Sequence, residues 1–198
     1  MALLIVPGAS QPPPGPGGIF TAMGNTDAAA ARELLRDAFT RLIEHVEVLT
    51  DGLTVEVSNY RPAGSANSIA WLIWHSARVQ DAQVAEIAGV EQAWIRDGWV
   101  DRFGLDLPRD STGYGHTAEE VGRVRAPASL LAGYYHCVHK ATLQYVASVT
   151  ADELARTVDG RWDPPVTASA RLVSIIDDCA QHLGQAAYLL GIGGVAER

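Results

Sequence analysis

The chain has little cysteine and little lysine, and both shortages exclude classes of protein. Cys137 and Cys179 lack CxxC spacing, which argues against a disulfide framework and against a thiolate zinc site. Lys140 is the only lysine and the net charge is −8 at pH 7, so a basic face for nucleic acid is not expected. The apolar residues 2–6 are too few to span a bilayer or to form a secretion signal. These features favour a cytoplasmic protein with neither nucleic-acid nor membrane partners.

Hydrophobic residues, by contrast, are plentiful. They make up 47% of the 198 residues, which is enough for one substantial core. Residues 1–24 are rich in proline and glycine and are expected to form a flexible tail, because proline removes hydrogen-bond donors and glycine raises the entropy cost of ordering. Residues 25–195 are expected to form a single domain.

Apolar residues that recur every three or four positions predict four long helices. These helices cover about residues 27–50, 68–89, 127–149 and 167–191. The second is apolar almost all the way round, so it is expected to lie centrally in the fold. The fourth is expected to begin after an N-cap at Thr167 and to end at Gly191. With no strand-like alternation, the pattern predicts an all-α four-helix bundle.

A long connection, residues 90–126, separates the second and third predicted helices. Two short helical turns fit within it, at residues 91–96 and after Thr117, where Glu120 completes a capping-box spacing. Connections of this length are usually functional. Its aromatic residues, Trp99 among them, are expected to cover a substrate site, or alternatively to cap the core or build a surface for a homodimer.

The fourth predicted helix carries a carboxylate, an imidazole and an amide on one flank. At about 100° per residue, Asp178, His182 and Gln185 lean the same way, whereas Asp177 points to solvent. A carboxylate and an imidazole one turn apart can bind one metal ion, but an ordinary surface pair is an equally good interpretation. Gln185 can orient a ligand or contact substrate, or it can form an interhelical hydrogen bond without functional consequence.

The histidines outside the fourth predicted helix also have alternative interpretations. His75, on the second predicted helix, points inward together with Trp71, which is a candidate to contact a ligand or substrate. A buried imidazole needs hydrogen-bond partners or a metal, and from the residues alone a satisfied core histidine is favoured. His139, on the third helix, is a candidate acid, base or ligand-orienting group. His116, in the connection, is a weaker ligand candidate.

Two segments carry a family resemblance. WLIWHSARVQD on the second helix and DDCAQHLGQAAYLLG on the fourth resemble the DinB/YfiT-like superfamily of four-helix metalloproteins, over roughly residues 27–191. The resemblance implies an up-down-down-up bundle with one metal ligand on the second helix and two on the last. The matching positions are His75, Asp178 and His182. The carboxylate at Asp178 most resembles the N-terminal domain of mycothiol-dependent maleylpyruvate isomerase, which has glutamate there.

The resemblance also implies a chemistry. Two imidazoles and one carboxylate leave open positions on a divalent ion such as Zn²⁺ or Ni²⁺, as in a catalytic site. Because a metal lowers the pKa of a bound thiol, the implied activity is transfer of a low-molecular-weight thiol, such as mycothiol, to a small electrophile. A non-catalytic metal-binding or dimerising protein and a metal-dependent hydrolase remain alternatives. The isomerase activity is not expected, because that enzyme also uses an arginine from an appended C-terminal domain.

Overall fold

The computed structural model describes the backbone of residues 25–196 and the side chains of residues 27–192. The predicted tail, residues 1–24, lies outside the described residues. The helices and strands follow one another along the chain as α1 (Asn25–Thr50), α2 (Val55–Asn59), α3 (Ile69–Ala88), α4 (Ala93–Arg96), α5 (Trp99–Phe103), α6 (Ala118–Arg123), α7 (Ala128–Ser148), α8 (Ala151–Ala155), β1 (Thr157–Asp159), β2 (Val166–Thr167) and α9 (Ala168–Ala196).

The four long helices α1, α3, α7 and α9 form the predicted bundle, and the all-α fold is confirmed. Extensive contacts join α3 to α9 and to α7, and join α1 to α7 and to α9. The first two long helices in the chain, α1 and α3, therefore lie diagonally across the bundle. Most residues of α3 are buried, as expected for a helix that is apolar almost all round. No helix in the described part of the chain is long and apolar enough to cross a bilayer.

Polar side chains fix the starts of α3 and α9. At the start of α3, the Ser68 hydroxyl accepts a hydrogen bond from the backbone N–H of Trp71 at 3.1 Å. At the start of α9, the Thr167 hydroxyl accepts one from the backbone N–H of Ala170 at 3.2 Å, as predicted. Each bond satisfies a donor that has no partner within the helix, and so defines the first turn.

Several features depart from the sequence prediction, and the short helix α2 is one of them. Helix α9 does not end at Gly191 but continues to Ala196, because a helical glycine costs only about 1 kcal/mol relative to alanine and need not end a helix. The connection contains a further short helix, α5, besides the two predicted turns. A small antiparallel sheet pairs β1 with β2. Strands of three and two residues are too short to show an alternating pattern.

A buried ion pair fastens the connection to α3. Arg78 is 0% exposed and Asp81 is 4% exposed, with 3.6 Å between Nη1 and Oδ2. The Asp81 carboxylate accepts hydrogen bonds from the backbone N–H groups of Ala93 and Trp94 at 2.9 and 2.8 Å, and so caps α4 from another helix. Arg78 Nε donates to the carbonyl oxygen of Ser111 at 3.0 Å. The connection is thereby held against α3 at two places, at the start of α4 and at Ser111.

Tyr134 of α7 completes this buried network. Its hydroxyl donates to Asp81 Oδ2 at 2.8 Å and accepts from Arg78 Nη1 at 3.1 Å. Burial raises the pKa of Tyr134 well above its usual value, so the phenol stays protonated and keeps donating. Both buried charges therefore have several partners, as charges removed from water require.

Candidate metal centre

His75, Asp178 and His182 converge between α3 and α9. Each offers one ligand atom, and these atoms all lie within 4.8 Å of one another. The two imidazole centroids are 4.8 Å apart, and His182 Nε2 lies 3.6 Å from Asp178 Oδ1. Two imidazoles and a carboxylate form the kind of donor set that binds a divalent ion and leaves coordination positions open. We call these residues the triad.

Both imidazoles of the triad are held through Nδ1, which leaves Nε2 of each ring free to act as a metal ligand. His75 Nδ1 lies 2.5 Å from the carbonyl oxygen of Thr112 and must donate to it, because a carbonyl only accepts. His182 Nδ1 lies 3.4 Å from Gln185 Oε1, a longer contact of the same kind. Metal-binding histidines characteristically donate their second ring nitrogen in this way, since the bond fixes both tautomer and ring orientation.

Burial keeps His75 in the neutral form that can act as a ligand. Its residue is only 6% exposed. Desolvation lowers the pKa of His75 to about 4, although the hydrogen bond to Thr112 acts in the opposite direction. The ring is therefore unprotonated at neutral pH, and its Nε2 lone pair is available.

Asp178 provides the observation that tests whether the triad fits a cation. Its Oδ2 is buried and has no hydrogen-bond partner among the described residues. Desolvation raises the pKa of Asp178, with His182 opposing that effect and Asp177 adding to it. A buried carboxylate oxygen without a partner is costly unless a proton or a cation satisfies it. The donor set and the unpaired oxygen both fit a divalent cation.

Trp71 packs against both imidazoles of the triad. Its ring stacks on His75 with centroids 4.5 Å apart and an interplanar angle of 17°, and it meets His182 edge-on at 6.0 Å. Trp71 Nε1 donates to His116 Nδ1 at 3.2 Å. The indole therefore restricts the rotation of the two imidazoles while its own orientation is fixed by the connection.

The connection closes one side of the triad with residues 111–116. Because His116 accepts from Trp71 at Nδ1, its Nε2 carries the proton and donates to Ser111 Oγ at 2.7 Å. Burial lowers the pKa of His116, which favours this neutral form. His116 thus orients Trp71, and it is not one of the three residues that converge.

Gly113 allows this part of the connection to approach His75. Its φ is +95°, and a Cβ at this position would lie 2.6 Å from His75 Nδ1 and 3.1 Å from the rings of Trp71 and Trp74. Only glycine combines such a backbone conformation with such a close approach. Neither Gly113 nor the Thr112 carbonyl was predicted. Glycines in a connection are typical of turns, but a turn does not reveal which side chain it approaches.

Gly113→Ala is expected to weaken metal binding by at least about 10-fold, because the new methyl group displaces the Thr112 carbonyl from His75 Nδ1. Gly115→Ala is the matched control: its φ is +72°, and a Cβ there meets nothing within 4 Å. The control carries only backbone strain, roughly 1–2 kcal/mol. Zinc affinity is measured for both variants by competition with a chromophoric chelator. Equal affinities would contradict the role assigned to Gly113.

Gln185→Ala is expected to lower metal affinity about 10-fold, since Gln185 Oε1 is the partner of His182 Nδ1. Gln181→Ala supplies a control on the same helix, because the Gln181 amide donates instead to Asp177 at 2.8 Å. The same chelator competition reports the affinity, and thermal unfolding reports stability. A lower melting temperature with unchanged affinity would show that Gln185 has only a structural role.

Trp99 lies in the core and not over the triad. It is 6% exposed, its ring packs 5.5 Å from that of Tyr134, and the Arg102 guanidinium sits 3.8 Å above it. The expected cover over the site is made by residues 111–116 instead. The aromatic character of the connection showed that rings would be buried, but not which surface they would pack against.

His139 also lies apart from the triad. The charged neighbours that act on it are His136 on its own helix and Glu47 on α1, so it belongs to the α1–α7 side of the bundle. Desolvation lowers the pKa of His139, with His136 adding to that shift. His139 is therefore not brought to the triad.

The two cysteines point away from the triad. Cys179 follows Asp178 in sequence but is 0% exposed, and its thiol donates to the carbonyl oxygen of Ser76 at 3.5 Å. Burial raises the pKa of Cys179 far above its usual value. Cys137 is half-buried and donates to Asp97 at 3.2 Å, and its pKa is raised by burial and by that hydrogen bond. Both side chains are therefore thiols and not thiolates at neutral pH.

The chain is similar to known proteins over most of its length. The model of the family described as mycothiol S-transferase matches residues 34–190. The chain is also similar to a conserved protein from Enterococcus faecalis of known crystal structure, with 34% identity and a TM-score of 0.75 over 80% of this chain and 94% of that chain. No curated protein matches the chain. The family match includes all three triad residues and parts of all four long helices.

Proposed function

Because the chain belongs to the mycothiol S-transferase family, we propose that it is an enzyme that transfers the sulfur of mycothiol to a small electrophile, using a divalent cation held by the triad. One observation carries the proposal. Two imidazoles, each fixed at Nδ1 by a carbonyl oxygen, converge with a carboxylate whose buried oxygen has no other partner. The donor set is that of an open, catalytic site.

The proposed reaction joins the thiol sulfur to an electrophilic carbon. The new sulfur–carbon bond forms as the bond from that carbon to its leaving group breaks, and the leaving group departs with the electron pair. The thiol proton passes to solvent. A divalent cation in the site would lower the pKa of the thiol, so that the thiolate is available at neutral pH.

The side chains around the triad prepare the site for this chemistry. His75 presents a neutral imidazole, and Asp178 is the only carboxylate of the triad, so the donor set leaves positive charge uncancelled and favours an anionic sulfur. Trp71 and residues 111–116 exclude water from the α3 side. The Asp178 side chain is 41% exposed, which leaves the α9 side open to substrates.

Metal analysis followed by a conjugation assay tests the proposal. The purified protein is expected to contain about one equivalent of divalent metal and to conjugate mycothiol with 1-chloro-2,4-dinitrobenzene, releasing chloride. Treatment with a chelator should abolish conjugation, and metal should restore it. Metal binding without conjugation would instead favour a non-catalytic role. Metal-dependent hydrolysis that needs no thiol would favour a hydrolase.

A further inference from the structure

A groove of about 500 Å³ lies between α9 and the start of α3. One wall is formed by Ala66, Asn67 and Leu72, and the other by α9 from Gln181 to Leu189. The α9 wall is about 12 Å long at the helical rise of about 1.5 Å per residue. Such dimensions suit a small molecule, because small-molecule sites enclose roughly 300–1,000 Å³.

The surface that the groove exposes is mainly apolar. Leu72 and Leu189 are 1% and 8% exposed, so they lie at its base, and the lining residue Tyr188 is 72% exposed. Gly184 leaves the middle of the α9 wall open, since a Cβ at this position would meet nothing within 4 Å. Transfer of apolar surface from water to an apolar partner is favourable, so an apolar molecule in the groove would be stabilised.

The groove is continuous with the triad. Gln185 lines the groove and also contacts His182, with 3.4 Å between Oε1 and Nδ1. On the facing helix, Leu72 precedes His75 by about one turn. A molecule that fills the groove therefore has one end beside the triad.

The polar side chains of the groove do not favour a charged occupant. No residue that lines it carries a charge. The amide of Gln181 already donates to Asp177 at 2.8 Å, and the amide oxygen of Gln185 is the partner of His182. An ionised molecule would therefore lose its hydration without gaining an ion pair, which is costly.

We propose that this groove binds the apolar body of the electrophile, an aryl or medium-length alkyl group, and so places the reacting carbon beside the triad. The inference rests on the proposed function and adds the class of acceptor to it. The enzyme then selects uncharged acceptors by the apolar area that they bury, and small polar electrophiles are poor substrates because they leave the groove hydrated.

A homologous series of acceptors tests this selection. 1-Iodobutane, 1-iodopentane and 1-iodohexane react at the same kind of carbon and differ only in apolar length; the sulfur–carbon bond forms as iodide leaves with the electron pair, and the thiol proton passes to solvent. With mycothiol and the metal-loaded protein, kcat/KM from iodide release is expected to rise about 2- to 4-fold per added methylene. The uncatalysed rates with the free thiol supply the reference. A series without this rise would overturn the assignment and leave the proposed function standing.

Gly184→Leu fills the groove and is expected to reduce the rise to below about 1.5-fold per methylene, through a higher KM for 1-iodohexane. Gly191→Leu is the matched control. Gly184 and Gly191 both line a second depression, between α1 and α9, but only Gly184 lines the groove, and a Cβ at either position meets nothing within 4 Å. The control should keep the wild-type dependence on chain length. An equal loss in both variants would overturn the assignment by placing the acceptor in the second depression.

Binding of N-phenyl-1-naphthylamine, an uncharged apolar fluorophore, tests the groove without any reaction. The wild-type protein is expected to bind it, Gly184→Leu to raise its Kd about 10-fold, and Gly191→Leu to leave its Kd unchanged. This result in a protein that conjugates no acceptor would support an apolar groove and contradict the proposed function. A wild-type protein that does not bind the fluorophore would overturn the groove assignment. So would a Gly184→Leu variant that changes from dimer to monomer with unaltered kinetics, because a second copy of the chain would then occupy the groove.

Discussion

His182→Ala is expected to lose the bound metal and to lower kcat/KM for conjugation by at least about 100-fold. The substitution removes one of three donors and leaves His75 and Asp178 on different helices, too few to hold a divalent ion firmly. The fold should persist, because α9 keeps its buried apolar face. Metal content after identical purification, circular dichroism and the conjugation rate are measured together.

His45→Ala is the control for this experiment. His45 is an exposed imidazole on α1, so its loss should change neither metal content nor rate. His75→Ala is expected to behave like His182→Ala, although it also removes the stacking partner of Trp71. Stoichiometric metal in either triad variant would exclude that histidine from the ligand set, whatever happens to the rate.

Asp81→Ala is expected to lower the free energy of unfolding by about 3–5 kcal/mol. The substitution leaves the Arg78 guanidinium buried without its carboxylate, and it removes the acceptor of the backbone N–H groups of Ala93 and Trp94. Because the same network holds the connection near Ser111, the loss should also weaken the contact between Thr112 and His75. Urea unfolding of the metal-free protein measures the first effect without a contribution from metal.

Asp37→Ala is the matched control, since it breaks an ion pair of the same chemistry at the surface. Asp37 lies 2.7 Å from Arg41, and the two side chains are 63% and 69% exposed. Solvent screens such pairs, so the expected loss is much smaller than that of Asp81→Ala. A similar loss in the Asp81 and Asp37 variants would show that burial of the Arg78–Asp81 pair adds nothing to stability.

Helical periodicity was sufficient to predict the bundle and the direction in which the triad side chains point. It placed His75 on the inner side of its helix and put Asp178 and His182 on a common flank, and the structure has these orientations. Periodicity could not show that the two helices face each other at these positions. That step came from the resemblance in the WLIWHSARVQD and DDCAQHLGQAAYLLG segments, which the family match supports.

The contacts that complete the site could not be predicted, because they join residues far apart in the chain. Thr112 reaches His75 across 37 residues through a backbone carbonyl, an atom that every residue type possesses. Arg78 and Asp81 have the spacing of an ordinary surface pair, and only tertiary packing makes them 0% and 4% exposed. For Trp99 the sequence left two interpretations open, a cover over the site or a cap on the core, and the residue packs in the core.

The state of the two cysteines has a consequence for the proposed reaction. A protein that brings electrophiles to a thiolate is exposed to self-alkylation. Cys179 is enclosed in the core and Cys137 is held by Asp97, and the raised pKa of each keeps the less reactive thiol form. With a single lysine besides, the chain offers few competing nucleophiles. In the proposed reaction, the reactive sulfur at the triad would be the one that arrives with the cosubstrate, and turnover would not consume the protein.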